Sequence, residues 1–201
     1  MQGKIAFEEH MAIPETLGEA KAFAGESGSW DEFTDDILDL DNKRIAYMDK
    51  AGIELAILSL NAPAIQSILD TDVAIETSRT ANDELADAVK RHPGRYLALA
   101  ALPMQDPIAA GEELKRCVNE LGFKGALVNG FTQRDVADSA FYYDIPEYRD
   151  FWQVVSDLDV PFYLHPRMQI PERSQIYDGH PWLKSSPCLL YTSPSPRDRS
   201  L

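Results

Sequence analysis

The chain has 201 residues, 44% of them hydrophobic, and a formal net charge of −14 from 33 acidic and 19 basic side chains. This length and apolar content predict one domain with a substantial core, and the negative charge argues against a surface that binds nucleic acid or an anionic membrane. No apolar run approaches the roughly 20 residues that span a bilayer, and we expect no secretory leader, so the predicted location is the cytoplasm. The two cysteines predict no disulfide framework.

The first predicted strand, residues 5–7, leads directly into two carboxylates and an imidazole at Glu8, Glu9 and His10. Because side chains alternate along a strand, Glu8 and His10 are expected on one face and Glu9 on the other. A carboxylate beside an imidazole at a strand end can form half of a metal site. Glu-x-His is a weak signal by itself, and the alternative is a strand that ends in ordinary polar residues.

Residues 11–40 are predicted to be irregular. The pattern leaves two interpretations open, an active-site cover or a surface excursion with some short helix. After residue 40, strands and helices alternate. Apolar periodicity predicts helices over 41–51, 72–91, 106–121 and 146–158, strands over 55–60, 96–101, 125–129 and 160–166, and a loop between 130 and 146.

Alternating strands and helices predict a parallel sheet with right-handed crossovers. No glycine-rich phosphate loop follows a strand, so we expect an α/β fold of the (β/α)8 TIM-barrel type rather than a dinucleotide-binding fold. Its active site would lie at the C-terminal strand ends. In this chain those ends carry Glu8, His10, Asn61, Asn129 and His165.

A complete barrel of this type takes about 250 residues, and five strands are predicted by residue 165. We therefore expect residues 1–183 to form about the first five β/α units of a barrel domain. Residues 184–201 are rich in Ser, Pro and Arg without strand or helix periodicity, and are predicted to be disordered. Within them, 188–200 resembles a translated sequencing adaptor, which suggests a non-native tail, and the alternative is a genuine disordered end.

Several segments, in order, resemble the γ-resorcylate (2,6-dihydroxybenzoate) decarboxylases of the amidohydrolase superfamily, in the branch that includes aminocarboxymuconate-semialdehyde decarboxylase. The similarity extends over residues 1–183. It is carried by MQGKIAFEEH with AIPE at 1–15, ILSLNAPA at 57–64, LGFKGALVNG at 121–130, LDVPFYLHPR at 158–167 and IYDGHPW at 176–182.

The resemblance implies a (β/α)8 barrel with a divalent metal, zinc or manganese, and makes Glu8, His10 and His165 three of its ligands. The fourth ligand, an Asp, and a catalytic His belong to later strands and have no counterpart in this chain. The resemblance also places Phe23, Asn61 and Ala64 at the pocket for a small aromatic carboxylate, and implies a homotetramer for the full-length parent. Arg167 is left open between pairing with an anionic substrate and a structural ion pair.

The implied reaction is non-oxidative decarboxylation of a hydroxybenzoate such as 2,6-dihydroxybenzoate, giving resorcinol and CO2. The alternative is a metal-dependent, lactonase-like hydrolase on the same scaffold, although such hydrolases usually carry His-x-His where this chain has Glu8-Glu9-His10. Because two catalytic side chains are missing, we expect the chain by itself to lack decarboxylase activity.

Overall fold

The computed structural model describes residues 3–18, 21, 29–168, 170, 173, 175, 178 and 179. The predicted boundary after residue 183 lies outside this part of the chain and stays a prediction. The described strands are β1 (Lys4–Met11), β2 (Ile53–Leu60), β3 (Tyr96–Ala98), β4 (Ala126–Asn129), β5 (Thr132–Arg134), β6 (Val136–Phe141) and β7 (Phe162–His165). The described α-helices are α1 (Pro14–Leu17), α2 (Trp30–Leu38), α3 (Lys43–Ala51), α4 (Thr71–Arg91), α5 (Pro107–Asn119) and α6 (Arg149–Leu158).

The parallel strands follow one another in space as they do in the chain. β1 pairs with β2, β2 with β3, and β4 with β7, all in parallel. A parallel bridge between Ala100 and Ala126 joins the two groups. A doubly wound sheet would reverse its strand order, whereas a (β/α) barrel adds each strand beside the previous one. The observed order therefore agrees with the predicted barrel topology.

Side-chain caps explain where the two longest helices begin. The Asp70 carboxylate accepts a hydrogen bond from the Val73 amide at the start of α4. The Asp106 carboxylate accepts from the amides of Ile108 and Ala109, and Pro107 occupies the first turn of α5. Both pairings satisfy amide groups that lack a partner within the helix. The start of the helix that was predicted over 106–121 is thus confirmed.

The core lies between the strands and the helices that cover their outer face. It is a continuous cluster whose largest members are fully buried, and among them are Leu58, Leu85, Tyr96, Leu102, Leu114 and Phe151. Cys117 belongs to the same cluster and is a buried free thiol. Among the described helices, none is long and apolar enough to cross a membrane.

Two segments predicted as irregular contain regular structure. The predicted loop between 130 and 146 holds the antiparallel hairpin of β5 and β6, which turns at Asp135 with a φ of 66°. The prediction of a loop was therefore wrong. The register between β5 and β6 is irregular, and the residues of this hairpin show no clean alternation of apolar and polar side chains that would have indicated strands. In the segment 11–40, α2 begins where the Ser29 hydroxyl accepts a hydrogen bond from the Glu32 amide.

A register shift near the end of β1 shapes the edge of the array. Ala6 pairs with Ala56 and Glu9 pairs with Leu58, so Phe7 and Glu8 together face one residue of β2. Such a bulge bends and twists the strand. The Phe7 ring then lies against Tyr163 of β7, with ring centroids 5.9 Å apart. The two edge strands of the parallel array therefore approach each other, as they do when a sheet curls toward a barrel.

Candidate metal centre

Three side chains from the two edge strands converge at the C-terminal end of the array. Oε1 of Glu8 lies 3.6 Å from Nε2 of His10 and 3.5 Å from Nε2 of His165. The two imidazole rings meet edge to face with centroids 4.9 Å apart. Ligand atoms of the three residues all lie within 4.8 Å of one another. The structure thus brings together the three side chains that were predicted from the sequence as metal ligands.

Strand alternation explains why β1 contributes Glu8 and His10 but not Glu9. The Glu9 carboxylate lies 3.8 Å from the guanidinium of Arg44 on α3, away from the cluster. Arg44 also donates a hydrogen bond of 2.8 Å to the carbonyl oxygen of His10. These contacts hold the end of β1 against the helix layer. The expected separation of Glu8 and His10 from Glu9 is confirmed.

Each histidine is oriented through its Nδ1 atom. Nδ1 of His10 lies 3.1 Å from the hydroxyl oxygen of Ser59 on β2. Nδ1 of His165 lies 3.0 Å from Oδ1 of Asn129 on β4. In both pairs the partner stands on the neighbouring strand at the paired position. A proton on Nδ1 would leave the Nε2 lone pairs directed toward Glu8, which is the arrangement metal-binding histidines use.

Glu8 is held by a side chain that was not predicted from the sequence. The Tyr163 hydroxyl donates a short hydrogen bond to Oε2 of Glu8, so the other oxygen, Oε1, faces both histidines. Tyr163 precedes His165 by two residues on β7, and strand alternation places both side chains on one face. That spacing was the available sequence signal. The contact itself depends on the curvature that brings β7 toward β1.

Protonation in the cluster follows from burial and from the neighbouring groups. Burial raises the pKa of the Glu8 carboxyl, but the Tyr163 hydrogen bond and the two imidazoles outweigh it and hold this pKa below its ordinary value. Burial and the nearby His165 lower the pKa of His10, against the opposing effect of Glu8. The hydrogen bond to Glu8 raises the pKa of Tyr163 to about 12. An ionised carboxylate beside a neutral imidazole is the state that binds metal.

The donor set fits a divalent cation. Imidazole nitrogens with a carboxylate oxygen suit zinc, and manganese accepts the same oxygen and nitrogen donors. Ligands about 2.1 Å from one cation in tetrahedral geometry stand about 3.4 Å apart, close to both observed Nε2–Oε1 distances. Glu8, His10 and His165 would therefore hold such an ion, and Ser59, Asn129 and Tyr163 would orient them.

The three predicted substrate-binding residues have different outcomes. Phe23 lies outside the described residues. The buried Asn61 side chain donates to the Thr16 carbonyl oxygen and accepts from the Thr16 hydroxyl at 3.0 Å, which fastens α1 to the end of β2. Ala64 is buried in the following 3₁₀ turn with a φ of 39°. A substrate contact by any of the three stays a prediction.

Arg167 takes a structural position next to the cluster. Its guanidinium donates to the carbonyl oxygens of Gln66 at 3.0 Å and Phe131 at 2.8 Å, and lies 4.2 Å from the centroid of the Phe131 ring. A further hydrogen bond goes to the amide oxygen of Gln133. These contacts tie the end of β7 to the two preceding loops. They give Arg167 a structural role through neutral oxygen acceptors, and its pairing with an anionic substrate stays a prediction.

An apolar cavity of about 710 Å³ lies on the other face of β7. Its lining includes Tyr142, Tyr143, Trp152, Phe162 and Leu164. Phe162 and Leu164 alternate with Tyr163 and His165 along the strand, so they point away from the metal-ligand candidates. This cavity is therefore separate from the predicted substrate pocket.

Comparisons with known proteins agree with this architecture. A protein-family model described as amidohydrolase matches residues 30–185. The γ-resorcylate decarboxylase of Rhizobium radiobacter is 57% identical over 183 residues, which cover 91% of this chain and 56% of that protein. The chain thus spans about half the length of the curated relatives it matches.

Solved structures of two decarboxylases also match the fold of this chain. A 2,6-dihydroxybenzoate decarboxylase in complex with 2,6-dihydroxybenzoate matches with a TM-score of 0.87 and 56% identity, covering 92% of this chain and 57% of the other. The dihydroxybenzoic acid decarboxylase from Polaromonas sp. JS666, with bound manganese and 2-nitroresorcinol, matches with a TM-score of 0.86 and 52% identity, covering 92% and 56%. The strand order, the helix layer and the family match lead to one assignment: the chain belongs to the amidohydrolase family.

Proposed function

We propose that the protein to which these strands contribute is a metal-dependent, non-oxidative decarboxylase of a hydroxybenzoate such as 2,6-dihydroxybenzoate. The single observation that carries the proposal is the convergence of Glu8, His10 and His165 on one point, with Oε1 of Glu8 within 3.6 Å of both imidazole Nε2 atoms. The named decarboxylases among the similar proteins support this reaction over the hydrolase alternative.

The reaction replaces a carbon–carbon bond with a carbon–hydrogen bond. A proton adds to the ring carbon that carries the carboxylate, the bond to the carboxylate breaks, and its electron pair restores the aromatic ring as CO2 leaves. A divalent ion would act as a Lewis acid toward the carboxylate and an adjacent hydroxyl of the substrate. The ring must be protonated by an acid, and the resemblance assigns that step to an Asp and a His of later strands.

The residues of this chain would hold the metal ion and orient its ligands. Glu8 supplies the negative charge and one free oxygen, since Tyr163 occupies the other. His10 and His165 supply neutral nitrogens, held by Ser59 and Asn129. We infer that this half of the barrel positions the metal and the carboxylate end of the substrate, while proton delivery belongs to the other half.

The proposed metal and oligomeric state rest on the resemblance. We propose manganese or zinc as the metal, and the manganese bound by the Polaromonas protein supports the former. A homotetramer and a cytoplasmic location are also proposed. Size-exclusion chromatography with light scattering on the hybrid protein described next would test the tetramer.

The decisive experiment grafts residues 1–183 of this chain onto the remaining C-terminal part of the Rhizobium radiobacter relative. With Mn2+ and 2,6-dihydroxybenzoate, the hybrid is expected to release resorcinol and CO2 in equal amounts. His10→Ala in the hybrid should abolish product. His92→Ala is the matched control. His92 lies at the C-terminal end of α4, away from the metal-ligand candidates, and its Nε2 is hydrogen-bonded to the Asp41 carboxylate.

Two results would contradict the proposal. The first is a folded, manganese-loaded hybrid that forms no resorcinol. The second is a hybrid that opens lactone substrates but leaves hydroxybenzoates unchanged, which would favour the hydrolase alternative. The 201-residue chain alone is expected to show no turnover in the same assay.

A further inference from the structure

A buried chain of amide side chains runs from the loop after β2 to His165. The Gln66 side chain donates a hydrogen bond of 2.8 Å from Nε2 to the Leu102 carbonyl oxygen. Its Oε1 accepts from the backbone amide of Asn129 at 3.2 Å and from Nδ2 of Asn129 at 3.0 Å. Asn129 Nδ2 also reaches the Pro63 carbonyl oxygen at 3.2 Å. Gln66 and Asn129 are 3% and 2% exposed, so these are the partners on which the buried amides depend.

Two backbone carbonyl groups determine how each side-chain amide in this hydrogen-bonded series is oriented. A carbonyl oxygen only accepts hydrogen bonds, so the amide nitrogen of Gln66 must face Leu102 and its oxygen must face Asn129. In the same way, the amide nitrogen of Asn129 must face Pro63 and Gln66. Oδ1 of Asn129 is then left to face Nδ1 of His165, 3.0 Å away. An oxygen there requires a proton on Nδ1.

The Glu8 carboxylate competes for the same proton. Its Oε1 lies 3.5 Å from Nε2 of His165, and a negative oxygen favours a proton on that nitrogen. A proton on Nε2 would block the lone pair that a metal needs. Asn129 opposes this from the other side of the ring at hydrogen-bond distance, but only while its own amide is held with the oxygen inward.

We propose that Gln66 is a positioning residue of the metal centre, which acts through Asn129 to keep the His165 proton on Nδ1 and leave Nε2 free for the cation. Gln66 does not touch the cluster. Glutamine suits the role because one side chain must donate to Leu102 and accept twice from Asn129. The inference rests on the proposed metal site, but not on the identity of the reaction.

The test uses the 201-residue chain, labelled with 15N at histidine, without metal and at a pH where the imidazoles are neutral. Two-bond 1H–15N correlation spectra report which ring nitrogen of His165 carries the proton. The wild-type chain is expected to show Nδ1–H. Gln66→Met keeps the volume and removes every side-chain hydrogen bond of Gln66, so a substantial Nε2–H population is expected. Its dissociation constant for Mn2+, measured by electron paramagnetic resonance, should rise about 10-fold.

Gln105→Met is the matched control. Gln105 is also fully buried and donates to the carbonyl oxygen of Ile65, in the 3₁₀ turn that carries Gln66, and to that of Ile68, which follows the turn. Its loss should disturb the turn without changing the His165 proton or the Mn2+ affinity by more than about twofold. Gln66→Glu keeps the acceptor toward Asn129, so it should preserve the Nδ1–H form.

The wild-type spectrum can overturn the proposal even if a variant fails to fold. An Nε2–H form of His165 in the wild-type chain would contradict it directly. Equal effects of Gln66→Met and Gln105→Met would also contradict it, since they would reflect a disturbed turn. None of these results depends on decarboxylation, so a failed activity assay and a failed positioning role are distinguishable.

Discussion

Oε1 of Glu8 and Nε2 of His165 lie 3.5 Å apart, although the two residues stand on the opposite edge strands of the parallel array. In a flat sheet, residues on the two edges would be separated by the three strands between them. Their contact means that the array curls until β1 and β7 face each other across an interior. The metal-ligand candidates are thus a product of curvature as much as of sequence position.

The hydrogen bond from Tyr163 to Glu8 leads to a prediction on metal affinity. Tyr163→Phe removes the hydroxyl but keeps the ring that packs against Phe7. Glu8 would then be free to rotate, so the dissociation constant for Mn2+ should rise about 10-fold, as for other groups that orient metal ligands. Titration with Mn2+ followed by electron paramagnetic resonance measures the change.

The matched control for that variant is Tyr142→Phe, since Tyr142 is half exposed and packs on Phe131 in the hairpin region. It should bind Mn2+ as the wild-type chain does. Unchanged affinity in Tyr163→Phe would show that the Glu8 carboxylate does not depend on the hydroxyl.

The close approach of β4 and β7 leads to a prediction on stability. A Cβ atom at Gly125 would lie 2.2 Å from the carbonyl oxygen of Pro161, and the residue has a φ of +150°. That oxygen accepts the hydrogen bond of the Ala126 amide, at 3.1 Å. Gly125→Ala must therefore separate the two strands, and we expect a loss of about 2–4 kcal/mol in the free energy of unfolding.

Urea denaturation monitored by circular dichroism measures this loss. Gly18→Ala serves as the control, because Gly18 has helical backbone angles and a Cβ atom added there would have nothing within 4 Å. It should change the free energy of unfolding by less than about 0.5 kcal/mol. Similar values for the two variants would contradict the close packing of β4 against β7.

A carboxylate ahead of α3 leads to a prediction on pH dependence. The Asp39 carboxylate accepts hydrogen bonds from the amides of Asp41, Asn42 and Lys43. Burial raises the pKa of Asp39, but these bonds together outweigh it and hold the pKa below its ordinary value of 3.8. Because the folded-state pKa is the lower one, the stabilisation is present above pH 3.8 and is lost as the pH falls through the folded-state value.

Asp39→Asn removes the charge and keeps an acceptor. Its melting temperature should be about 1–2 °C below wild type at pH 7, as expected for one charge at a helix N-terminus, and the difference should vanish near pH 2. Glu54→Gln, at an exposed position of β2 and not at a helix N-terminus, reports the background effect of removing one negative charge. A difference that stays constant with pH for Asp39→Asn would refute the charge contribution.

Strand order was predictable from the sequence for a local reason, whereas the set of three ligand candidates also required the family resemblance. Apolar runs of strand length and the alternation of Glu8, Glu9 and His10 depend on neighbouring residues, so they survive without knowledge of the fold. The predicted helix start at residue 106 is local in the same way, and the structure places a side-chain cap there. The Asp70 cap of α4 lies two residues before the predicted start at residue 72.

The supporting contacts were not predictable, because they depend on register. Ser59 meets His10 and Asn129 meets His165 only after the strands pair as they do. The bulge at Phe7 and Glu8, which turns β1 toward β7, has no signature in the residues themselves. Gln66 is still further removed, since two intervening contacts connect it to the metal-ligand candidates.

Manganese binding to the metal-free 201-residue chain tests the central claim most directly, with electron paramagnetic resonance reporting free and bound Mn2+. The wild-type chain should bind one Mn2+, and at 100 times the dissociation constant the ion should stabilise the fold by about 2.7 kcal/mol. His165→Ala should abolish both effects, while His92→Ala should retain both. Equal binding by the His165→Ala and wild-type chains, or no binding by a folded wild-type chain, would contradict the assignment of Glu8, His10 and His165 as metal ligands.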